Sequence, residues 1–89
     1  LPAPDPSDRR ALHSLLRAAA VPDDLYFIEG EHEPSPLPVD FVYLRRSPSS
    51  PGLWETGIYE RGEWRADPPH PTEPSACNRL LALALPHRE

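Results

Sequence analysis

Apolar residues recur at Leu12, Leu15, Leu16 and Ala19, the i, i+3, i+4, i+7 spacing of one helix face, while Arg9, Arg10, His13 and Arg17 lie off that stripe. Asp5 as N-cap, Pro6 at the first helical position and Asp8 in the first turn supply a start. Pro22 supplies the stop, so a helix is predicted over about 7–20. A second stripe, Cys77, Leu80, Leu81 and Ala84, follows Thr72-Glu73-Pro74, an N-cap with an acidic, proline-bearing first turn. With Leu83 and Leu85 in support and Pro86 as the stop, it predicts a helix over about 73–85. Between the two stripes the period falls to two. After a turn at Asp23-Asp24, aromatic and β-branched runs predict strands at Leu25–Ile28, Phe41–Arg46, about 53–60 and about 63–67. The order is α-β-β-β-β-α.

The last two strands meet through Arg61-Gly62, where two registers compete. A two-residue loop pairs Tyr59 with Trp64 and puts Trp64 on the face of Glu55 and Tyr59, opposite Trp54 and Ile58. A type I turn with Gly62 left-handed in a G1 bulge pairs Tyr59 with Glu63 instead. In that second register Trp54, Ile58, Trp64 and Ala66 share one face, and Glu55, Glu63 and Arg65 share the other. Only this arrangement separates apolar from charged positions, and a one-residue slip would undo it. The bulged register is therefore expected, with Gly62 setting the sheet, both tryptophans facing the helices and Tyr59 facing outward; the face of Tyr43 stays open. The fold class expected is α+β: a four-stranded antiparallel sheet with both helices on one face. A single domain spans 7–86, between an extended lead-in at 1–6 and a tail at 87–89.

Size and charge narrow the function. A chain of 89 residues buries only roughly 60–65% of its unfolded surface, which leaves little room for an enclosed active site, and an enzyme is not expected. The 14 prolines fall in clusters between the periodic segments and read as stiff connectors. A net charge of −5 argues against nucleic acid and anionic membranes as partners and allows a basic protein. No apolar run approaches the ~20 residues that span a bilayer, and no signal peptide is visible. The single cysteine, Cys77, cannot form an internal disulfide, so a reducing compartment, the cytoplasm, is expected. The chain contains no Met, which reads as a processed chain or a piece of a longer one.

Candidate chemistry is sparse. Glu29, Glu31, Glu33 and Asp40, with Asp23 and Asp24 nearby, form an acidic segment that suits docking of a basic surface; such blocks also serve simply to solvate a small domain. Glu31-His32-Glu33 offers metal-ligand types, but no second ligand pair stands at motif spacing, so no metal is expected. Glu29-Gly30-Glu31 superficially matches the paired glutamates of ADP-ribosyltransferases, and nothing else of that pattern follows. Cys77 lies on the apolar stripe of its helix, where cysteine behaves as a small hydrophobe rather than as a nucleophile for His70 or His87. No Ser-His-Asp arrangement, Gly-rich phosphate loop or CxxC pair occurs. Neither catalytic residues nor a cofactor are expected.

Two stretches carry a family likeness: Val21-Pro22-Asp23-Asp24-Leu25-Tyr26-Phe27-Ile28-Glu29-Gly30, and Tyr59-Glu60-Arg61-Gly62 followed by Thr72-Glu73-Pro74-Ser75-Ala76-Cys77-Asn78-Arg79-Leu80-Leu81. The chain there resembles small bacterial immunity-type proteins encoded beside polymorphic toxins, while the proline-rich segments at 34–38, 47–52 and 68–71 depart from their pattern. The resemblance implies a non-enzymatic inhibitor that covers a toxin's active site, and acidic character would fit a basic toxin such as a nuclease. The contact residues expected are Glu29, Glu31, Glu33 and Asp40 of the acidic segment and Glu55, Tyr59, Glu63 and Arg65 of the outer sheet face. The alternative expectation is an accessory or interaction domain of a larger enzyme or secretion-system protein.

Overall fold

Asp8, extended at φ −152°, opens the first helix, and its carboxylate accepts the Ala11 N–H at 2.8 Å. The computed structural model describes residues 6–85; the expected cap at Asp5, the stop at Pro86 and the tail at 87–89 lie outside the described residues. Helix α1 is Arg9–Ala18, so it begins later than expected, where an Asx cap reaches the third amide. It ends in a Schellman motif: Ala20 N–H donates to Arg17 O at 3.0 Å, Val21 N–H donates to Leu16 O at 3.1 Å, and Ala20 turns left-handed at φ 62°. Leu12 and Leu16 are buried and Val21 packs against the same cluster.

Helix α2, Glu73–Ala84, starts at the predicted cap, with Thr72 Oγ1 accepting the Ser75 N–H at 3.2 Å. The two helices run side by side in the same direction. At one end the Glu73 carboxylate accepts the Arg9 N–H at 2.9 Å and Arg9 Nε at 3.1 Å, so α2 caps α1. At the other end Ala19–Pro22 meet Ala84 and Leu85.

The sheet is β1 (Tyr26–Ile28), β2 (Phe41–Arg46), β3 (Trp54–Glu60) and β4 (Glu63–Ala66), in that spatial order. The fold is α+β as expected, but the sheet is mixed. β2–β3 and β3–β4 are antiparallel, whereas β1 runs parallel to β2 with Tyr26↔Val42 and Ile28↔Leu44. Parallel neighbours need a return of about a dozen residues, and the proline-rich stretch 29–40 is that return. It first doubles back beside β1, where His32 and Ile28 exchange backbone hydrogen bonds at 2.8 Å in each direction. Leu25 falls in a one-turn 3-10 helix, Asp23–Leu25, and not in the strand.

Tyr26, Ile28 and Leu44 point to one face, where Leu12 and Leu16 of α1 and Ala76, Cys77 and Leu80 of α2 complete the core. The β3–β4 hairpin overturns the expected register. Tyr59 pairs with Trp64 and Glu60 with Glu63. Arg61 at φ 54° and Gly62 at φ 77° are both left-handed, the signature of a two-residue type I′ turn, so no bulge forms. Trp54 stays on the helix side, half-buried. Trp64 does not: it moves to the outer face with Tyr59, and Ala66 moves with it, opposite Gly57. The expectation failed because it took the outer face to be polar and solvated, and that face has an apolar packing of its own.

Candidate functional site

Alternation along β1 to β4 sends Phe27, Phe41, Tyr43, Tyr59 and Trp64 to the face away from the helices. The rings form one cluster. Tyr59 stacks on Phe41 with centroids 4.6 Å apart, and the Trp64 indole meets Tyr43 edge-on at 4.8 Å and Tyr59 at 4.9 Å. Trp64 also reaches Phe27, 5.7 Å away, although β4 and β1 are three strand spacings apart, roughly 14 Å at ~4.8 Å each. The indole therefore lies across the sheet. Gly57 makes this possible, since a strand residue with a side chain would stand between Tyr43 and Ala66. Aromatic pairs of this kind add about 0.5–1.5 kcal/mol beyond area burial.

The charged members of this face are internal to it. Tyr43 is fully buried, and its hydroxyl donates to Glu55 Oε2 at 2.8 Å. Arg45 donates to the same oxygen through Nε at 2.9 Å and pairs through Nη2 at 2.8 Å. Its guanidinium lies 4.1 Å from the Trp64 ring centroid and 5.3 Å from that of Tyr43. Burial, reinforced by the Glu55 carboxylate, pushes the Tyr43 hydroxyl pKa well above its ordinary value. The inner rings thus form a second, smaller core, while Phe27, Tyr59 and Trp64 stay partly open to solvent.

The expected contact residues scatter. Tyr59 is on the outer face, as expected. Glu55 is on that face but only 9% exposed and held by Tyr43 and Arg45. Glu63 and Arg65 pair with Glu60 and Ile58, so they stand on the helix side; both are exposed, and Arg65 bonds to Glu60 at 3.2 Å and Glu63 at 3.5 Å. Within the acidic segment, Glu29 Oε1 accepts the Arg46 N–H at 2.6 Å and Glu33 Oε2 accepts the Gly30 N–H at 2.7 Å, so two carboxylates shape the return. Glu31 is exposed beside Arg9 and Arg10. Asp40 is exposed at the opposite end of the sheet, at the start of β2.

At that end, where both helices terminate, an open apolar groove of about 280 Å³ runs between the sheet and α2. Leu25, Phe41, Val42, Ile58, Leu83 and Ala84 line it, with Asp40 in its wall. Sequence reasoning did not find this groove, because its lining comes from four separated segments. Of its residues, Leu25 was expected to open a strand and Ile58 to face the helices, and both are exposed.

Polar groups elsewhere join elements. His70 connects the sheet to α2, with Nε2 3.2 Å from Thr56 Oγ1 and Nδ1 2.8 Å from Ser75 Oγ. His13 lies beside the stacked pair of Tyr26 and His32, ring centroids 5.8 and 5.0 Å away, and burial followed by the His32 charge lowers its pKa. Cys77 is fully buried, and burial pushes its thiol up to about 12. Among the described residues no group of three or more His, Cys, Asp or Glu could hold a metal ion, and no helix is long and apolar enough to cross a membrane. Comparison with protein-family models, curated proteins and solved structures found no match to this chain.

Proposed function

We propose that this chain is a non-enzymatic protein-binding module of the immunity type, which neutralises a basic toxin in the cytoplasm by covering its active site. The observation that supports this reading best is the outer sheet face: a fixed cluster of Tyr, Trp and Arg over which, among the described residues, no helix is laid. These residue types dominate interface hot spots, and their rigidity keeps the entropy cost of binding low. The net charge of −5 favours encounter with a basic partner. The resemblance at Val21–Gly30, at Tyr59–Gly62 and over 72–81 points to the same class.

The test is calorimetric titration with the protein encoded beside this chain's gene, using the parent chain and Tyr59→Ala. Tyr59 is the expected contact residue that remains on the outer face and half-buried. A hot-spot truncation costs about 2 kcal/mol, roughly thirtyfold in affinity. Saturable binding by the parent, weakened to that extent by Tyr59→Ala at a temperature where circular dichroism shows both folded, supports the reading. No binding by the parent sinks it, and equal binding by both removes the outer face from the contact.

A further inference from the structure

The groove where the helices end combines apolar exposure with negative potential. Leu25 is 47% exposed, Ile58 42% and Leu85 38%, a concentration of large apolar side chains at one end of a small domain. The hollow continues past Leu25 and Ala84 over Val21, Pro22 and Leu85, so the apolar surface is continuous. Contiguous exposed patches of this kind mark sites of association.

Its surroundings are acidic for several independent reasons. Asp40 stands in the wall, and Asp23 and Asp24 occupy the same turn as Leu25. Because α1 and α2 run in parallel, both carbonyl ends converge here, and each carries the equivalent of about half a negative charge. Helix α2 has no basic residue in its last turn; α1 has Arg17. Arg65, across from Ile58, is engaged by Glu60 and Glu63. The groove is open rather than enclosed and lies just below the ~300–1,000 Å³ of small-molecule pockets, so it suits one or two side chains of a protein. A second copy of this chain would face Asp40 and two helix carbonyl ends with the same groups, because a two-fold interface is self-complementary.

We infer that this groove is a docking site for a partner protein segment that presents apolar side chains flanked by lysine or arginine. The inference rests on the protein-binding reading but uses a surface at the end of the domain and not the outer sheet face. The apolar side chains enter between Leu25, Ile58 and Leu83, while the flanking cations approach Asp40 and the last carbonyls of both helices.

Three fluorescein-labelled synthetic peptides test it on the full chain: alternating Leu and Lys, Leu and Glu, and Ser and Lys. By fluorescence anisotropy the Leu/Lys peptide is expected to saturate and to bind at least about tenfold tighter than either control. Its affinity should fall as salt rises. In nitrogen–proton correlation spectra it should shift the amides of Leu25, Ile58 and Ala84. Ile58→Ser truncates a side chain that is 42% exposed, and circular dichroism checks that the variant is folded; with Asp40→Asn it gives two surface variants, each expected to weaken the Leu/Lys peptide about three- to tenfold. Equal binding of all three peptides, shifts confined to other surfaces, or wild-type binding by both variants overturns the inference. So does a sedimentation profile showing a dimer that protects these amides. If the peptide fails while the neighbouring gene's product binds, the groove falls and the protein-binding reading stands; the reverse pair of results separates them the other way.

Discussion

Replacing Gly57 with alanine would drive a methyl group into the backbone of the adjacent strand. The new Cβ would stand 2.9 Å from the Arg65 carbonyl carbon and 3.0 Å from Ala66 Cα, and closer still to the Arg65 carbonyl oxygen. All three obstacles are main chain, so no side chain can swing aside. Relief requires β3 and β4 to separate at the Gly57↔Ala66 pair, which also lifts the Trp64 indole from Tyr43. Overpacking costs about 1–3 kcal/mol and more against a rigid neighbour, while the lower entropy of unfolded alanine returns about 0.5–1 kcal/mol. A net loss of about 2 kcal/mol follows, or roughly 8–16 °C in Tm for a domain of this size. Urea unfolding read by circular dichroism and tryptophan fluorescence measures it, with Gly52→Ala as comparison. Gly52, unlike Gly57, is left-handed, at φ 87°, but a Cβ there meets nothing within 4 Å, so only backbone strain of about 1 kcal/mol applies. A Gly57→Ala chain as stable as the parent would refute the close approach of β3 and β4 and the route of Trp64 across the sheet.

Ala20 holds the left-handed position of the Schellman motif, so Ala20→Gly is expected to raise stability by about 0.5–1 kcal/mol in the same urea assay. Tyr43→Phe deletes a buried donor to a carboxylate that keeps its Arg45 contacts; a loss of about 1–2 kcal/mol is expected in equilibrium unfolding. His13 is packed against Tyr26 and His32, with Arg17, Glu31 and Asp23 nearby, and its folded pKa lies below the ordinary 6.5. The unfolded chain therefore binds that proton more readily. The stability His13 contributes is complete above about pH 6.5 and is lost as pH falls through the lowered folded value, so His13→Gln should flatten the fall in Tm between pH 7 and 5. Cys77, with its thiol pushed up to about 12, should resist a thiol reagent at pH 8 in the folded chain and react on addition of urea.

Both helices were legible because each carries its own apolar stripe and breaker: α2 came out within a residue and with its Thr72 cap, while α1 is shorter than expected at both ends, through the choice between Asp5 and Asp8 and through the left-handed turn at Ala20. Strand β2 was legible to the residue. The parallel pairing of β1 was not, since the proline-rich stretch 29–40 reads as extended backbone whichever way it returns. The hairpin register was misjudged for a reason that also governs the outer face. Polar and apolar sorting assumes that a charge marks solvent, yet Glu55 is buried where Tyr43 and Arg45 complete its hydrogen bonds. Tyr59 was placed correctly because in either register it stays opposite Ile58. The groove was beyond sequence reasoning, because Leu25 and Leu83 become neighbours only when the ends of both helices meet the sheet.

The most direct measurement starts from the protein encoded beside this chain's gene, the toxin of the proposal: its activity is followed as the purified chain is added. A non-enzymatic inhibitor that covers an active site should reduce activity in proportion to the amount added and abolish it at one equivalent, less completely at high salt. Activity unchanged at a large molar excess would contradict the proposed function, and loss at far less than one equivalent would indicate catalysis instead of stoichiometric cover.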